Sequence, residues 1–256
     1  MAKLELFGGE KGGVGKSFVC RTAVQYHLDR AIEFALFDAD RSNPDVKRIY
    51  SSLGCREAIF SENEKHEDKA KSIYLTAIKK QTLVNLPAQI INPFQDWFEK
   101  NELFALAPED GVEFVLWFVC SGGYDSLMLL KQYFKYFRGQ VSYVLVKNWG
   151  ICDDWESLDT NEYLQSQIQE YGVRVIDFPK FIGNRTRNII DEKNLTFGAA
   201  RENREFDSID RQRVKSFLKK AYLAFDDAGV FQIASVNKPI PQHLENNGLV
   251  NVTESS

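Results

Sequence analysis

The chain is poor in cysteine, and none of its four thiols forms a Cys-x-x-Cys pair: Cys20, Cys55, Cys120 and Cys152 stand far apart. That spacing argues against a disulfide framework or a zinc site, and reduced thiols point to a cytoplasmic protein. Cys20 and Cys120 fall in apolar runs and are expected to be small core residues. No apolar run approaches the roughly 20 residues that a membrane-spanning helix takes. The chain opens directly on a strand-like pattern, so no secretory leader is expected. Net positive charge is also missing: 32 Lys and Arg against 36 Asp and Glu give a formal charge of −4. Any nucleic-acid site would therefore have to be a local patch. What is present, 256 residues of which 44% are hydrophobic and 27% charged, is enough for one α/β domain with a sizeable core.

The stretch around which the rest is organised is Glu10-Lys11-Gly12-Gly13-Val14-Gly15-Lys16-Ser17. It follows the apolar run Leu4–Phe7, which reads as a strand, and precedes Phe18–Val24, which reads as the start of a buried helix. Strand, glycine-rich turn and helix form the context of a phosphate-binding loop. Gly12, Gly13 and Gly15 let the backbone approach an anion without Cβ obstruction. Successive N–H groups and the positive end of a helix then converge on it. Lys16 reaches toward β- and γ-phosphates, and the Ser17 hydroxyl is placed for Mg²⁺.

The usual phosphate loop begins with Gly where this chain has Glu10, and a second lysine, Lys11, follows. This resembles the deviant loop of the ParA/MinD family of P-loop ATPases, Lys-Gly-Gly-x-Gly-Lys-Ser/Thr, and within it the plasmid partition proteins of the ParA type. The resemblance implies an ATPase that binds ATP and Mg²⁺ and forms a homodimer on ATP, with Lys11 reaching the partner's nucleotide. It implies loop contacts from Lys11 through Ser17, Val14 included, and from Phe18 just beyond.

Farther along, Ile32–Phe37 reads as a second strand ending in Asp38-Ala39-Asp40, where carboxylates sit beside the phosphate loop in this fold class. The resemblance makes Asp38 and Asp40 a switch I pair, with Asp40 orienting the attacking water. The alternative is that Asp40 caps the segment Asn43–Lys47. Thr82–Ala88 reads as a strand entering a turn. The family's aspartate that supports the Mg²⁺ shell is replaced here by Asn85, a neutral and weaker partner for the ion. Hydrolysis is therefore expected to be slow, or absent in favour of ATP sensing; otherwise Asn85 caps a turn. The metal set is thus Ser17, Asp38, Asp40 and Asn85.

Residues 54–72 are charged and read as a solvated loop or helix face, with His66 exposed. A helix is expected from Pro93. Val112–Cys120 is the strongest strand, apolar almost throughout, as suits the centre of a parallel sheet. After Ser121-Gly122-Gly123, a helix carries Leu127, Leu130, Phe134 and Phe137, with Asp125 or Ser126 at its start. Val141–Val146 is a strand ending in Lys147-Asn148, 159–170 a helix, and Val173–Phe178 a last strand stopped by Pro179. By resemblance Asn148 contacts adenine, with the loop at Pro179 near the base; turn chemistry is the alternative for Asn148. About six strands alternating with helices predict an α/β fold, a mostly parallel sheet with helices on both faces in the three-layer manner of P-loop NTPases. The nucleotide belongs at the strands' carboxyl ends.

From Lys180 to Lys220, eleven basic residues face six acidic ones, a local excess of +5 in a chain whose remainder carries −9. Val214, Phe217, Leu218, Ala221, Tyr222 and Phe225 form an apolar stripe at helical spacing, with Arg211, Lys215 and Lys219 at steps of four on an exposed side. Related partition ATPases bind DNA non-specifically through such residues. The resemblance makes Arg185, Arg187, Arg211, Lys215 and Lys219 the candidates, with a solvated helix face as the alternative. It also implies a partner protein that stimulates hydrolysis and, with DNA bound, nucleoid association. The single ATPase domain is expected over 1–236. The tail 237–256, with Pro239, Pro241 and Gly248, cannot form a membrane-targeting amphipathic helix. A metabolic phosphotransferase is the other enzyme class that a phosphate loop allows.

Overall fold

The computed structural model describes residues 2–9, 12–60 and 67–231 (for 67–69, the backbone alone). Glu10, Lys11, His66 and the expected tail 237–256 lie outside the described residues. In chain order the elements are β1 (Ala2–Gly8), α1 (Lys16–Asp29), β2 (Ala35–Asp38), α2 (Asp45–Tyr50), a 3₁₀ turn (Ser51–Leu53), β3 (Arg56–Glu57), α3 (Glu67–Ala77) and β4 (Thr82–Asn85). There follow α4 (Ile91–Lys100), α5 (Leu103–Asp110), β5 (Val112–Cys120), α6 (Tyr124–Phe137), β6 (Ser142–Asn148), α7 (Glu156–Asp159) and α8 (Glu162–Glu170). The last are β7 (Arg174–Phe178), α9 (Asn184–Glu192), α10 (Phe197–Arg201) and α11 (Ser208–Asp227).

All seven strands run parallel in the order β3-β2-β4-β1-β5-β6-β7. Alternation along each strand sends side chains to two separate cores. In β5, Phe114, Leu116 and Phe118 join the layer of α3 to α8, while Val115, Trp117 and Val119 join that of α1, α2 and α9 to α11. Coverage on both faces is why β5 carries no polar alternation. The apolar stripe of α11 docks on the second layer, with Val214, Phe217, Leu218, Ala221 and Phe225 buried.

Several boundaries differ from the sequence reading. The strand expected from Ile32 begins at Ala35, because Ala31 turns the chain with a positive φ of 52°. The helix expected from Pro93 starts at Ile91; Pro93 then sits in its first turn, where a missing N–H leaves no intrahelical bond unmade. The helix expected to start at Asp125 or Ser126 starts at Tyr124, and the Ser126 hydroxyl instead accepts from the Ser121 N–H at 3.2 Å. The seventh strand, β3, has two exposed residues at the sheet edge and no periodicity to reveal it.

Register places the site. Phe7 is opposite Asn85, and Asp38 is opposite the same Asn85, so β1, β4 and β2 end side by side. β1 sends its chain toward β2, whereas β5 sends its chain the other way, toward β6. Such a reversal opens the crevice in which open α/β sheets bind ligands.

Candidate functional site

The glycine-rich turn leaves β1 at this crevice. Gly9 has φ 143°, and a Cβ there would lie 2.7 Å from the Val119 carbonyl oxygen of β5, so the turn passes against backbone that admits no side chain. Gly15 ends the turn with φ 96° and stands at the N-terminus of α1, where no side chain among the described residues caps the helix. The first N–H groups of α1 thus face the crevice without a capping oxygen, as anion binding requires. Gly12 and Gly13 are exposed, whereas Val14 is buried in the α1 layer and anchors the turn. Lys16 is buried and Ser17 half-buried in the first turn of α1.

Ser17, Asp38 and Asn85 converge. The Asn85 amide Nδ2 donates to Asp38 Oδ1 at 2.9 Å and reaches Ser17 Oγ at 3.4 Å. Its Oδ1 is buried and finds no donor among the described residues. A buried acceptor without a donor costs stability until something fills it, and water held by a cation would supply the missing donor. Asp38 is buried and accepts three hydrogen bonds, from Asn85 Nδ2, the Lys47 N–H at 2.9 Å and the Asp40 N–H at 3.1 Å. Burial pushes its carboxyl above the ordinary range, against these three bonds. A cation beside it would reverse that balance. The residues present therefore fit a divalent ion in an oxygen shell, with Ser17 and Asp38 as oxygen donors and Asn85 behind them.

Asp40 is half-buried and engaged in its own loop, accepting from the Ser42 hydroxyl at 2.6 Å and the Asn43 N–H at 3.1 Å. The first turn of α2 is capped by Asp38 through the Lys47 N–H. The aromatic ring of Phe18 packs edge-on against Phe178, Phe181 and Phe197 and tilted against Phe217. This cluster ties the start of α1 to the end of β7 and to α11. Pro179 follows directly on β7. Asn148, at the end of β6, is buried; its Nδ2 donates to the Val14 carbonyl at 2.8 Å and its Oδ1 accepts from the Gly150 N–H at 3.0 Å.

The expected basic patch is divided. Arg185 and Arg187 are exposed on α9. The Arg211 guanidinium turns back to the carbonyls of Asn203 and Phe206, so Arg211 does not project with Lys215 and Lys219. Those two lysines line a cleft of about 380 Å³ with Arg30 and Arg201. There Arg30 pairs with Asp226, Arg201 with Asp29 and Lys215 with Glu202. On the other flank of α11, Lys180, Arg213 and Lys220 rim a cleft of about 610 Å³ beside the exposed Ile182 and Ile209. Among the described residues no three His, Cys, Asp or Glu side chains cluster as a metal site, and no helix is long and apolar enough to cross a membrane.

No family model matches the chain. It is 28% identical over 202 residues to the protein MobD of Acidithiobacillus ferrooxidans, a match spanning 78% of this chain and 87% of MobD. Its fold is similar to the MinC:MinD cell division protein complex of Aquifex aeolicus, with a TM-score of 0.50 and 12% identity over 85% of this chain and 95% of that one. A protein of Borrelia burgdorferi B31 described as a candidate plasmid partition protein, bound to AMPPNP, overlaps 87% of this chain and 99% of its own, with a TM-score of 0.47 and 13% identity. The parallel sheet flanked by helices is the fold of the MinD structure.

Proposed function

Taking the shared MinD/ParA fold as premise, we propose that this protein is a ParA-like ATPase that binds MgATP, dimerises on it and positions DNA or another cargo. The observation that carries the reading is the convergence of Ser17, Asp38 and Asn85 beside an uncapped helix N-terminus, at the crevice where the sheet reverses direction. In this reading Gly12, Gly13, Gly15 and Lys16 hold the phosphates. Ser17 and Asp38 would hold Mg²⁺, which would supply charge screening for the phosphates. Asp40 orients water, and the base lies toward the loop at Pro179. Lys11, outside the described residues, reaches the nucleotide of the second protomer. MobD, the MinD complex and the AMPPNP-bound Borrelia protein support this reading by likeness alone.

DNA, as a phosphate polyanion, is the proposed cargo contact of Arg185, Arg187, Lys215 and Lys219, and a partner protein is proposed to stimulate hydrolysis. Because Lys215 is already paired with Glu202, DNA affinity should be modest and fall steeply with salt. Sedimentation of the wild type and Lys11→Ala with ADP or ATP, with and without duplex DNA, tests this. Wild type should become a dimer with ATP only and co-sediment with DNA at low salt. Lys11→Ala should stay monomeric. A monomer under every nucleotide, or DNA binding indifferent to salt, contradicts the reading. A second reading, an ATP-dependent interaction module with little or no turnover, is favoured by one observation, the neutral amide of Asn85 where a second carboxylate would serve the ion.

A further inference from the structure

We infer that Asn148 is a positioning residue that aims the phosphate loop, acting on the loop's backbone rather than on a base. The inference rests on the nucleotide-binding reading above. Val14 and Gly15 share one peptide unit. A trans peptide is planar, with its C=O and N–H pointing in opposite directions. Whatever holds the Val14 oxygen on one side therefore sets where the Gly15 N–H points on the other. The holder is Asn148 Nδ2, at 2.8 Å in a buried bond.

The amide itself is fixed. Asn148 Oδ1 accepts from the Gly150 N–H at 3.0 Å, and the Asn148 carbonyl accepts from the N–H groups of Ile151 and Cys152 at 3.0 and 3.1 Å. The next residue is tied to the sheet, since the Trp149 N–H donates to the Phe178 carbonyl at 3.0 Å. The side chain thus presents Nδ2 from a rigid strand end. The approach is so close that a Cβ on Gly15 would lie 2.5 Å from Nδ2. Any other residue at 15 would displace the amide, which gives this glycine a role beyond its positive φ. Pulling on the Val14 oxygen also polarises the peptide and strengthens its N–H as a donor.

This geometry makes a prediction that a base-reading asparagine does not. Loss of the Nδ2 donor should weaken every ligand that uses the loop, with or without a base. We would titrate the full chain and Asn148→Asp calorimetrically with MgATP and with magnesium tripolyphosphate, which has no base. Asp keeps the side-chain shape and the acceptor for Gly150 while removing the donor but adds a negative charge, so equal weakening counts for the inference only if the uncharged Asn148→Ser shows it too. Asn148→Ser serves as a second variant, and thermal unfolding identifies any variant that has lost its fold. Both ligands should weaken by the same factor, about tenfold for one buried hydrogen bond. Amide exchange at residues 13–16 in the ligand-free protein should rise over wild type. Loss of ATP affinity with tripolyphosphate unchanged would make Asn148 a base contact and overturn the inference, as would unchanged affinity for both. If the wild type itself binds neither ligand, it is the nucleotide-binding reading that fails.

Discussion

Two buried titratable residues report on the interior at the scale of single side chains. Glu5 of β1 is fully buried and accepts from the Trp117 indole at 2.6 Å, and its other oxygen finds no donor among the described residues. Burial pushes its pKa from an ordinary 4.5 to about 7. Between those values the folded chain holds a proton that the unfolded chain releases, so stability falls as pH rises. His27 is buried against Ala23 and Gln81, and burial lowers its pKa from 6.5 to about 4. Here the unfolded chain takes up the proton, so stability rises with pH over that window. The two slopes oppose one another between about pH 4.5 and 6.5, and each is worth of order 3 kcal/mol. Glu5→Gln should remove the falling slope of Glu5 and uncover the rise from His27, with urea-unfolding stability higher at pH 6.5 than at pH 5 and a gain of about 3 kcal/mol over wild type at pH 8. A variant whose profile overlies that of the wild type would contradict this. Nothing in the sequence reveals Glu5: it sits in a strand pattern as an ordinary polar alternate. Only the helical layer that covers both sheet faces makes it buried.

At the scale of elements, the site is a meeting of strand ends. β2 and β4 lie next to one another, so Asp38 and Asn85 are cross-strand neighbours and the Asn85 amide bridges Asp38 to Ser17 of α1. Asn85→Asp would set two carboxylates against each other at about the present 2.9 Å. Without metal the variant's melting midpoint should drop, because like charges at that distance cannot both ionise cheaply. Saturating Mg²⁺ should restore it. Steady-state phosphate release with MgATP should rise about tenfold, the effect of roughly 1.4 kcal/mol on the barrier. An unchanged or lower rate would reject the idea that the neutral amide slows turnover. Strands are readable from the sequence where the apolar pattern is strong: β5 and the centre of β6 are continuous buried runs, and β1 and β7 are shorter apolar stretches interrupted by charged residues. β3 is not, since Arg56 and Glu57 are exposed charged residues at the sheet edge with no apolar alternation to mark a strand. The Asn148 bond to Val14 was equally illegible, because its partners are 134 residues apart and no local pattern records such a contact.

The whole molecule divides its labour between a sheet that aligns seven strand ends and a helical layer that carries charge at its surface. The turn between β1 and α1, with Lys16 and Ser17 in the first turn of the helix, is legible from the sequence because apolar strand, glycine-rich turn and helix follow one another there. The basic surface was legible only as a count. Its exposed pairs, Arg30 with Asp226, Arg201 with Asp29 and Lys215 with Glu202, leave less free charge in the cleft along α11 than eleven basic residues imply. The central claim is that the turn after β1 grips a triphosphate. Calorimetric titration of MgATP into the wild type and into Lys16→Ala tests it most directly. The account predicts saturable one-to-one binding by the wild type, weakened at least about a hundredfold in Lys16→Ala by loss of a buried charge-assisted contact. Absence of heat and of saturation with the folded wild type would contradict it, as would equal affinity in the two proteins.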